Sequence, residues 1–277
     1  MTASPPRQPR LLSQMNERSV LRVLQSNGPC SRAEVTRRMG VTAPTVSKAV
    51  SALLRCGLLE EFDAAENGRG RPAKQLRLAS QTAQVLGLVI DARQCQLVAA
   101  GLDGVAWESS AQRFPTPDSY SQLIDEVQRR VEVLRRRDGV KTLGLGISMP
   151  GLIDYRRKQG LMSPNVPITD GHQPSVDLSE SLQLDAVLMQ ETHALCMAER
   201  MYGLARGLDD FAMLDATTGV GLGVFSNGRL LTGKNGLAGE LGHVPVDPQG
   251  RRCGCGGTGC LETVASDSAL LHTVSER

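Results

Sequence analysis

The feature that most constrains this chain is a cluster of four potential metal ligands late in the sequence. His243 is followed by Cys253, Cys255 and Cys260, with glycines between the cysteines that allow the backbone to wrap around a small ion. One imidazole and three thiolates complete the tetrahedral shell of Zn²⁺ and leave no position for water, which is typical of a structural site. A redox pair of cysteines is the alternative. The glycine spacing and the fourth ligand favour structural zinc.

The other cysteines do not indicate a disulfide framework. Cys30, Cys56, Cys95 and Cys196 are scattered among apolar neighbours, so we expect reduced core residues. No apolar run approaches the roughly 20 residues of a membrane helix, and the first ten residues lack a signal-peptide stretch. The 277 residues suit roughly two domains, and we expect a cytoplasmic protein without a membrane partner.

The net charge of +2 conceals an uneven distribution. The first 80 residues hold 13 Lys and Arg against 6 Asp and Glu, whereas the rest of the chain holds 18 against 23. A basic head on an acidic body is typical of a polyanion-binding module joined to a small-molecule domain. A solvated basic tail would give the same distribution, so charge alone leaves both interpretations open.

Helix signals recur in the basic head. Asn16 can cap a first helix, and Ser31 with Glu34 has the capping-box pattern of a second helix that ends at Gly40. Thr42 can cap a third helix whose first turn is polar. A helix, a tight turn and a polar-tipped helix predict a helix-turn-helix, whose second member can enter the major groove of DNA. An ordinary three-helix bundle is the alternative.

Two parts of the head are candidates for contact with DNA. The start of the third helix offers residues that can meet bases or phosphates, namely Thr42, Ala43, Thr45 and Lys48. Two strands are expected to follow and to form a wing. Between them lies a basic, glycine-rich segment with Arg69 and Arg71, and arginine is attracted to narrow minor grooves. A flexible basic linker is the other interpretation of this segment.

From about residue 85 the chain alternates predicted strands and helices, which favours an α/β fold with a mixed sheet. Here the motifs resemble those of a known family. Gly239-Glu240-Leu241-Gly242-His243, followed by the cysteine cluster and Leu261-Glu262, is similar to the signature of the ROK family (repressors, open reading frames and sugar kinases). Pro150-Gly151 and Ser163-Pro164-Asn165 belong to the same pattern, and the resemblance covers most of the chain from about residue 11.

The resemblance implies a fold for each part of the chain. Residues 1–80 would form a winged helix-turn-helix DNA-binding domain with a basic wing. Residues 81–277 would form a two-lobed, actin/hexokinase-like (ribonuclease H-like) ATPase fold of the α/β class, with a sugar held in the cleft. Family members continue well beyond the cysteine cluster, whereas this sequence ends 17 residues after Cys260. We therefore expect an incomplete second lobe.

The resemblance also implies sugar-binding residues. The family positions that contact sugar hydroxyls correspond here to Asn165, Glu240, His243 and Glu262. Carboxylates and amides suit this work because each can pair with two vicinal hydroxyls in a mostly dry pocket. His243 would bind zinc through one ring nitrogen and turn the other toward the sugar. Surface or fold-supporting polarity is the alternative interpretation of these residues.

Two departures from the family pattern concern phosphoryl transfer. Family kinases have a glycine-rich Asp-x-Gly-Gly-Thr-type loop where residues 89–94 here contain no glycine or threonine. Residues 189–194 lack the aspartate that acts as base, with an apparent one-residue deletion, although Glu191 or His193 could serve. Residues 217–223 resemble the family's second phosphate loop, which leaves nucleotide binding open. Since transfer needs positioning and a base together, we expect no kinase activity.

These observations favour a sugar-responsive, DNA-binding transcriptional regulator of carbohydrate-metabolism genes, acting as a repressor. Its partners would be operator DNA, a sugar or sugar-phosphate effector and, if the C-terminal part is not essential, a second copy of the chain. The alternative is an ATP-dependent sugar kinase, of the glucokinase or N-acetylhexosamine kinase type, with an appended DNA-binding head. A protein-binding sensor is a third possibility.

Overall fold

The computed structural model describes residues 7–63 and 74–275, which fall into two compact units. The first unit consists of Met1–Val85, Ala99–Ser109 and Leu134–Leu143. The second consists of Leu86–Val98, Ser110–Val133 and Gly144–Arg277. The division into domains at residue 80 stays a prediction.

The head of the first unit is a winged helix. Its strands form an antiparallel sheet in the order β1-β3-β2, in which Leu59 pairs with Leu78 and Cys30 with Leu76. The elements, in chain order, are α1 (Arg7–Asn27), β1 (Cys30–Ser31), α2 (Arg32–Met39), α3 (Ala43–Arg55), β2 (Leu59–Asp63) and β3 (Lys74–Leu78).

Local signals explain both ends of α2. The Ser31 side chain caps α2 by accepting from the Glu34 amide at 3.2 Å, and Gly40 ends α2 with a φ of 64°. The Glu34 carboxylate instead accepts from Arg38, at 2.8 Å, one turn along the same helix. The prediction that Asn16 starts the first helix is wrong, because α1 already begins at Arg7 and Asn16 lies inside it.

The core of the winged helix is formed where the apolar faces of the three helices meet the sheet. Val20, Val35, Val46, Val50 and Leu76 are fully buried there. Each buried aliphatic side chain of this kind contributes roughly 1.5–3 kcal/mol relative to exposure. The complete cluster is Val20, Leu24, Cys30, Val35, Val46, Ala49, Val50, Leu53, Leu59 and Leu76.

The body contains ten strands and five helices among the described residues. The helices are α4 (Tyr120–Arg135), α5 (Pro174–Leu182), α6 (Glu191–Tyr202), α7 (Glu262–Ala265) and α8 (Asp267–Ser275). The strands are β4 (Ala83–Val89), β5 (Gln94–Ala100), β6 (Gln112–Pro115), β7 (Lys141–Met149), β8 (Leu152–Asp154), β9 (Gln159–Met162), β10 (Ala186–Gln190), β11 (Phe211–Asp215), β12 (Gly221–Ser226) and β13 (Arg229–Leu230).

These strands form a mixed α/β architecture, which confirms the predicted class. The larger sheet has the order β10-β7-β4-β5-β6, with β10 parallel to β7 and β5 antiparallel to β6. A second sheet has the order β11-β12-β13 and is antiparallel, and β8 pairs with β9. Along β5 buried residues alternate with more exposed ones, as expected of a strand that buries one face.

Of the four cysteines expected in the core, three are buried and one is exposed. Cys30, Cys95 and Cys196 are buried, as expected. Cys56 is exposed because it is the C-cap of α3, so its prediction as a core residue is wrong. None of the helices in the described ranges has both the length and the apolar composition needed to cross a bilayer.

Candidate functional site

The four predicted metal ligands converge on one point. One ligand atom each from His243, Cys253, Cys255 and Cys260 can be chosen so that all lie within 4.8 Å of one another. The Cys255 and Cys260 sulfurs are 3.7 Å apart, and the Cys253 sulfur is 3.5 Å from Nδ1 of His243. The group can therefore hold a metal ion.

These separations can be compared with tetrahedral zinc. Zn–S bonds of about 2.3 Å and Zn–N bonds of about 2.0 Å place two sulfurs roughly 3.8 Å apart, and a sulfur and a nitrogen roughly 3.5 Å apart. The S–S and S–N distances in the structure agree with these values. The ligand loop also needs glycine, because a Cβ at Gly259 would lie 1.5 Å from the carbonyl oxygen of Asp247. The donor set and the backbone therefore fit a four-coordinate ion.

The four predicted sugar-binding residues surround a single cavity of about 390 Å³. Asn165, Glu240, His243 and Glu262 all line it. Nε2 of His243 lies 3.6 Å from Glu240, while Nδ1 lies 3.8 Å from Glu262. The nitrogen that faces Cys253 is thus distinct from the one that faces Glu240, which is the two-sided arrangement expected for this histidine.

Asn165 is positioned by two motifs that pack against each other. A Cβ at Gly151 would lie 2.5 Å from the carbonyl oxygen of Met162 and 2.8 Å from Cα of Ser163, so only glycine allows this approach. The Ser163 amide donates to Asp170 at 2.7 Å, which fixes the start of the loop that carries Asn165. The Pro-Gly turn and the Ser-Pro-Asn segment therefore form one structural unit at the cavity wall.

Three further carboxylates line the cavity, namely Asp91, Glu191 and Asp215. Burial raises the pKa of Glu191, and the negative charges of Asp215 and Asp91 raise it further. Burial also raises the pKa of Glu240, and this outweighs the opposing effect of His243. Both carboxyl groups are thus harder to ionise than an exposed glutamic acid.

The two candidate bases, Glu191 and His193, have different surroundings. Glu191 is the first residue of α6, directly after β10, and lines the cavity. His193 is fully buried, is not part of the cavity lining, and has Nδ1 2.7 Å from the hydroxyl of Tyr155. Of the two, Glu191 therefore has access to a ligand.

Gln190 is a cavity residue that the sequence interpretation missed. Its side-chain amide donates to Glu240 at 3.4 Å and accepts from Thr192 at 2.5 Å. It is 8% exposed and lines the cavity. A polar residue at the junction between a buried strand and a helix was the available signal, because the end of such a strand faces the cleft in α/β folds.

The glycine-rich residues 217–223 have two different surroundings. Residues 217–221 line the cavity, as a phosphate loop would. Gly221 also begins β12, where an added Cβ would lie 2.1 Å from Cγ2 of Thr192 on α6. At this position glycine is required for the packing of a helix on a strand, so its presence is not specific evidence for nucleotide binding.

The candidate DNA contacts on α3 lie at its start. Thr42, Ala43 and Lys48 are exposed, and Thr45 is half-buried with its hydroxyl 2.9 Å from that of Thr42. Lys48 lies on the face opposite the buried Val46, Ala49 and Val50, whereas Thr42, Ala43 and Thr45 lie at the N-terminal end of the helix. Arg69 and Arg71 lie outside the described residues.

The fold and the site together define a winged-helix protein with a sugar-kinase-like body and a Cys₃His cluster. The model of the ROK family matches residues 87–277, and that of the MarR family matches residues 12–70. The chain therefore belongs to the ROK family, and its head is a MarR-like winged helix.

Three known proteins illustrate these similarities. The DNA-binding transcriptional dual regulator NagC of Escherichia coli is 25% identical over 276 residues, which cover 95% of this chain and 65% of NagC. A glucokinase of Thermotoga maritima is 37% identical over 156 residues, 55% of this chain and 49% of the kinase. The crystal structure of a ROK family transcriptional regulator, a homologue of E. coli Mlc, matches with a TM-score of 0.78 and 25% identity, covering 96% of this chain and 68% of that one.

Relatives of this chain thus include both regulators and a kinase. The chain spans just under two thirds of the length of NagC.

Proposed function

We propose that this protein is a sugar-responsive, DNA-binding transcriptional regulator of carbohydrate-metabolism genes that acts as a repressor. The observation that carries the proposal is a single cavity lined by Asn165, Glu240, His243 and Glu262, in a chain that also has a winged helix. Similarity to the regulator NagC over 95% of the chain supports it. Residues 1–80 would bind operator DNA and residues 81–277 would bind the effector.

The proposed DNA contacts are Thr42, Ala43, Thr45 and Lys48 on α3, together with Arg69 and Arg71 in the wing. Exposure at the start of a recognition helix supports the first group. A second copy of the chain would place two such helices on half-sites about 34 Å apart or a multiple of that distance. Sugar binding would act by favouring one of the conformations available to this dimer.

Zinc would be structural in this proposal. His243 would hold it through Nδ1, with the sulfurs of Cys253, Cys255 and Cys260, and the bound ion would keep these sulfurs as thiolates. Nε2–H of His243 would then donate a hydrogen bond to a sugar oxygen, and the carboxylates of Glu240 and Glu262 would accept hydrogen bonds from sugar hydroxyls.

The test is binding of the purified full chain to its own upstream DNA, compared with random duplex of equal length, over a salt series. Specific binding that weakens on addition of a sugar is expected. Lys48→Ala should weaken binding and flatten the salt slope by about one unit if Lys48 meets a phosphate. Lys234→Ala, at an exposed lysine of the body, is the matched control and should leave the slope unchanged. Equal affinity for both duplexes at every salt concentration would contradict the proposal.

A second candidate function is favoured by one observation. Glu191 lines the cavity at the start of α6, where a carboxylate could accept a proton from a sugar hydroxyl. We nevertheless propose that the protein is not a kinase, because residues 89–94 lack the glycines with which family kinases approach ATP phosphates. Release of ADP from ATP with glucose or N-acetylglucosamine, abolished by Glu191→Gln, would reverse this conclusion.

A further inference from the structure

Two side chains outside the cavity lining carry a further inference. Tyr155 lies in the turn that connects β8 to β9, and His193 lies in the first turn of α6. His193 is fully buried, Tyr155 is half-buried, and neither lines the cavity. Any effect that they have on a ligand must therefore pass through the residues that they contact.

The hydroxyl of Tyr155 joins the end of β10 to α6. Its oxygen accepts from the backbone amide of Gln190 at 3.0 Å and lies 2.7 Å from Nδ1 of His193. Burial lowers the pKa of His193 by more than the Ala238 backbone raises it, so the ring is neutral near neutral pH and Nδ1 can accept from the phenol. Nε2 is buried and has no partner at hydrogen-bond distance within the described ranges, so Tyr155 is the group that orients this ring.

Gln190 carries this contact into the cavity. Its side-chain amide donates to Glu240 at 3.4 Å, and its side-chain oxygen accepts from Thr192 at 2.5 Å. Both Gln190 and Glu240 line the cavity. A chain of contacts thus leads from the buried His193, through Tyr155 and then Gln190, to a carboxylate at the cavity wall.

The ring of Tyr155 supports the same carboxylate from a second segment. A Cβ at Gly236 would lie 2.9 Å from Cδ2 of Tyr155 and 2.3 Å from the carbonyl oxygen of Ile153, so the backbone at Gly236 packs directly on the turn that carries Tyr155. Gly236 belongs to the segment that leads to Glu240. Tyr155 therefore contacts both segments whose side chains meet where Gln190 donates to Glu240.

We propose that Tyr155 and His193 are positioning residues of the effector cavity. Together they hold Gln190 and, through it, Glu240 in the orientation that accepts from a sugar hydroxyl. The inference rests on the proposed function, which makes this cavity the effector site, and it adds two residues outside the lining. A carboxylate oriented before the ligand arrives loses less conformational freedom on binding, which raises affinity.

The experiment measures dissociation constants of the full chain for glucose, xylose and N-acetylglucosamine by calorimetry at neutral pH, well below the unfolding temperature. We expect the wild type to bind at least one of these sugars. Tyr155→Phe should weaken the binding of that sugar about five- to tenfold, because a misplaced Glu240 forfeits about one hydrogen bond to a hydroxyl.

Tyr120→Phe is the matched control. Tyr120 is also a half-buried tyrosine of the body, its hydroxyl donates to Asp177, and it does not line the cavity. Both tyrosine variants should lower the unfolding temperature, whereas Tyr120→Phe should leave the dissociation constant unchanged. An equal loss of affinity in the two variants would assign the effect to stability and contradict the inference.

Two replacements of His193 separate the hydrogen bond from the packing. His193→Asn keeps an acceptor close to the position of Nδ1, so its affinity should stay within about threefold of that of the wild type. His193→Leu fills the space but leaves the Tyr155 hydroxyl without its acceptor, so it should weaken sugar binding as much as Tyr155→Phe does. Equal affinities of the asparagine and leucine variants would contradict the role given to Nδ1.

Failure of this inference can be distinguished from failure of the proposed function. Sugar binding by the wild type that is unchanged in Tyr155→Phe and in both His193 variants would refute the positioning role and leave the effector site standing. Absence of binding to the wild type, for the three sugars and for a broader panel of hexoses, pentoses and N-acetylhexosamines, would refute the effector role itself, and the inference with it.

Discussion

Replacing Glu60 by alanine is expected to destabilise the winged-helix unit by about 2–3 kcal/mol. Its carboxylate lies on β2, and Oε1 accepts from the backbone amides of Gln81 at 2.9 Å, Ser80 at 3.1 Å and Thr82 at 3.3 Å. Oε2 accepts from Nε of Arg77 at 2.9 Å. One side chain thus ties the segment after β3 to the wing.

The magnitude follows from these contacts. Hydrogen bonds to a charged group contribute about 1.5–3 kcal/mol each when their partners are buried. Gln81 and Thr82 are exposed, so their amides can bind water in the variant. Loss of the three amide hydrogen bonds together should therefore lower the free energy of unfolding by only about 2 kcal/mol. The Arg77 pair, with Arg77 41% exposed, adds about 0.5 kcal/mol.

Glutamine at the same position separates shape from charge. Glu60→Gln retains an oxygen that can face the three amides but loses the charge and the ion pair with Arg77, so a loss of about 1 kcal/mol is expected. Burial raises the pKa of Glu60, but the Gln81 amide, Arg77 and the Ser80 and Thr82 amides lower it by more. Because the folded pKa is lowered, the charge-dependent part of the stability is present above the unfolded pKa, near 4.3. It is lost as the pH falls through the folded value.

The assay is amide hydrogen exchange of the full chain, which reports the stability of the winged helix separately from that of the body. We expect faster exchange at residues 80–82 and in the winged-helix core in both variants, with the larger effect in alanine. The difference between wild type and Glu60→Gln should shrink below about pH 4. A Glu60→Ala variant within 0.5 kcal/mol of wild type at pH 7 would refute the reasoning.

Three further changes test other parts of the structure. Cys255→Ser should lower bound zinc, expected at one ion per chain from the four ligands, and elemental analysis after gel filtration checks this; an unchanged content would contradict the zinc proposal. Gly221→Ala should destabilise the body by about 1–3 kcal/mol in thermal or urea unfolding, because its Cβ would collide with Thr192; a neutral effect would show that α6 moves freely from β12. Tyr155→Phe removes the hydroxyl of a half-buried tyrosine, 2.7 Å from Nδ1 of the buried His193, and should cost about 1–3 kcal/mol by the same measurement, whereas an equally stable variant would mean that this contact contributes nothing net.

The N-cap of α2 and the C-cap of α3 show which features could be predicted from neighbouring residues in the sequence. The half of the capping box that depends on Ser31 was predictable, because the hydroxyl and the Glu34 amide are three residues apart in the same turn. The other half is not formed, since Arg38 pairs with the Glu34 carboxylate from the next turn. Cys56 has apolar neighbours in sequence, but its position at the helix C-cap determines its exposure.

The contacts between helices and strands could not be predicted from the spacing of residues in the sequence. The motif residues of the cavity could be named because the ROK pattern carries them, and the structure gathers them around one space. That Glu191 lines this space while His193 is buried depends on how α6 packs on β12. The requirement for glycine at position 221 has the same origin, because nothing in the glycine itself identifies Thr192 as its neighbour.

Glu262 links the cysteine cluster to the cavity. Its carboxylate accepts from the sulfur of Cys253 at 2.8 Å, lies 3.8 Å from Nδ1 of His243 and lines the cavity. A cation held by the Cys253 sulfur would require that sulfur as a thiolate, which donates no hydrogen bond, so the Glu262 carboxylate would be free to accept from a ligand hydroxyl. The same ion would hold the imidazole of His243 with its Nε2 toward Glu240. In this arrangement metal loss alters two of the four proposed sugar contacts at once, so zinc content and sugar affinity should decline together even in variants that remain folded.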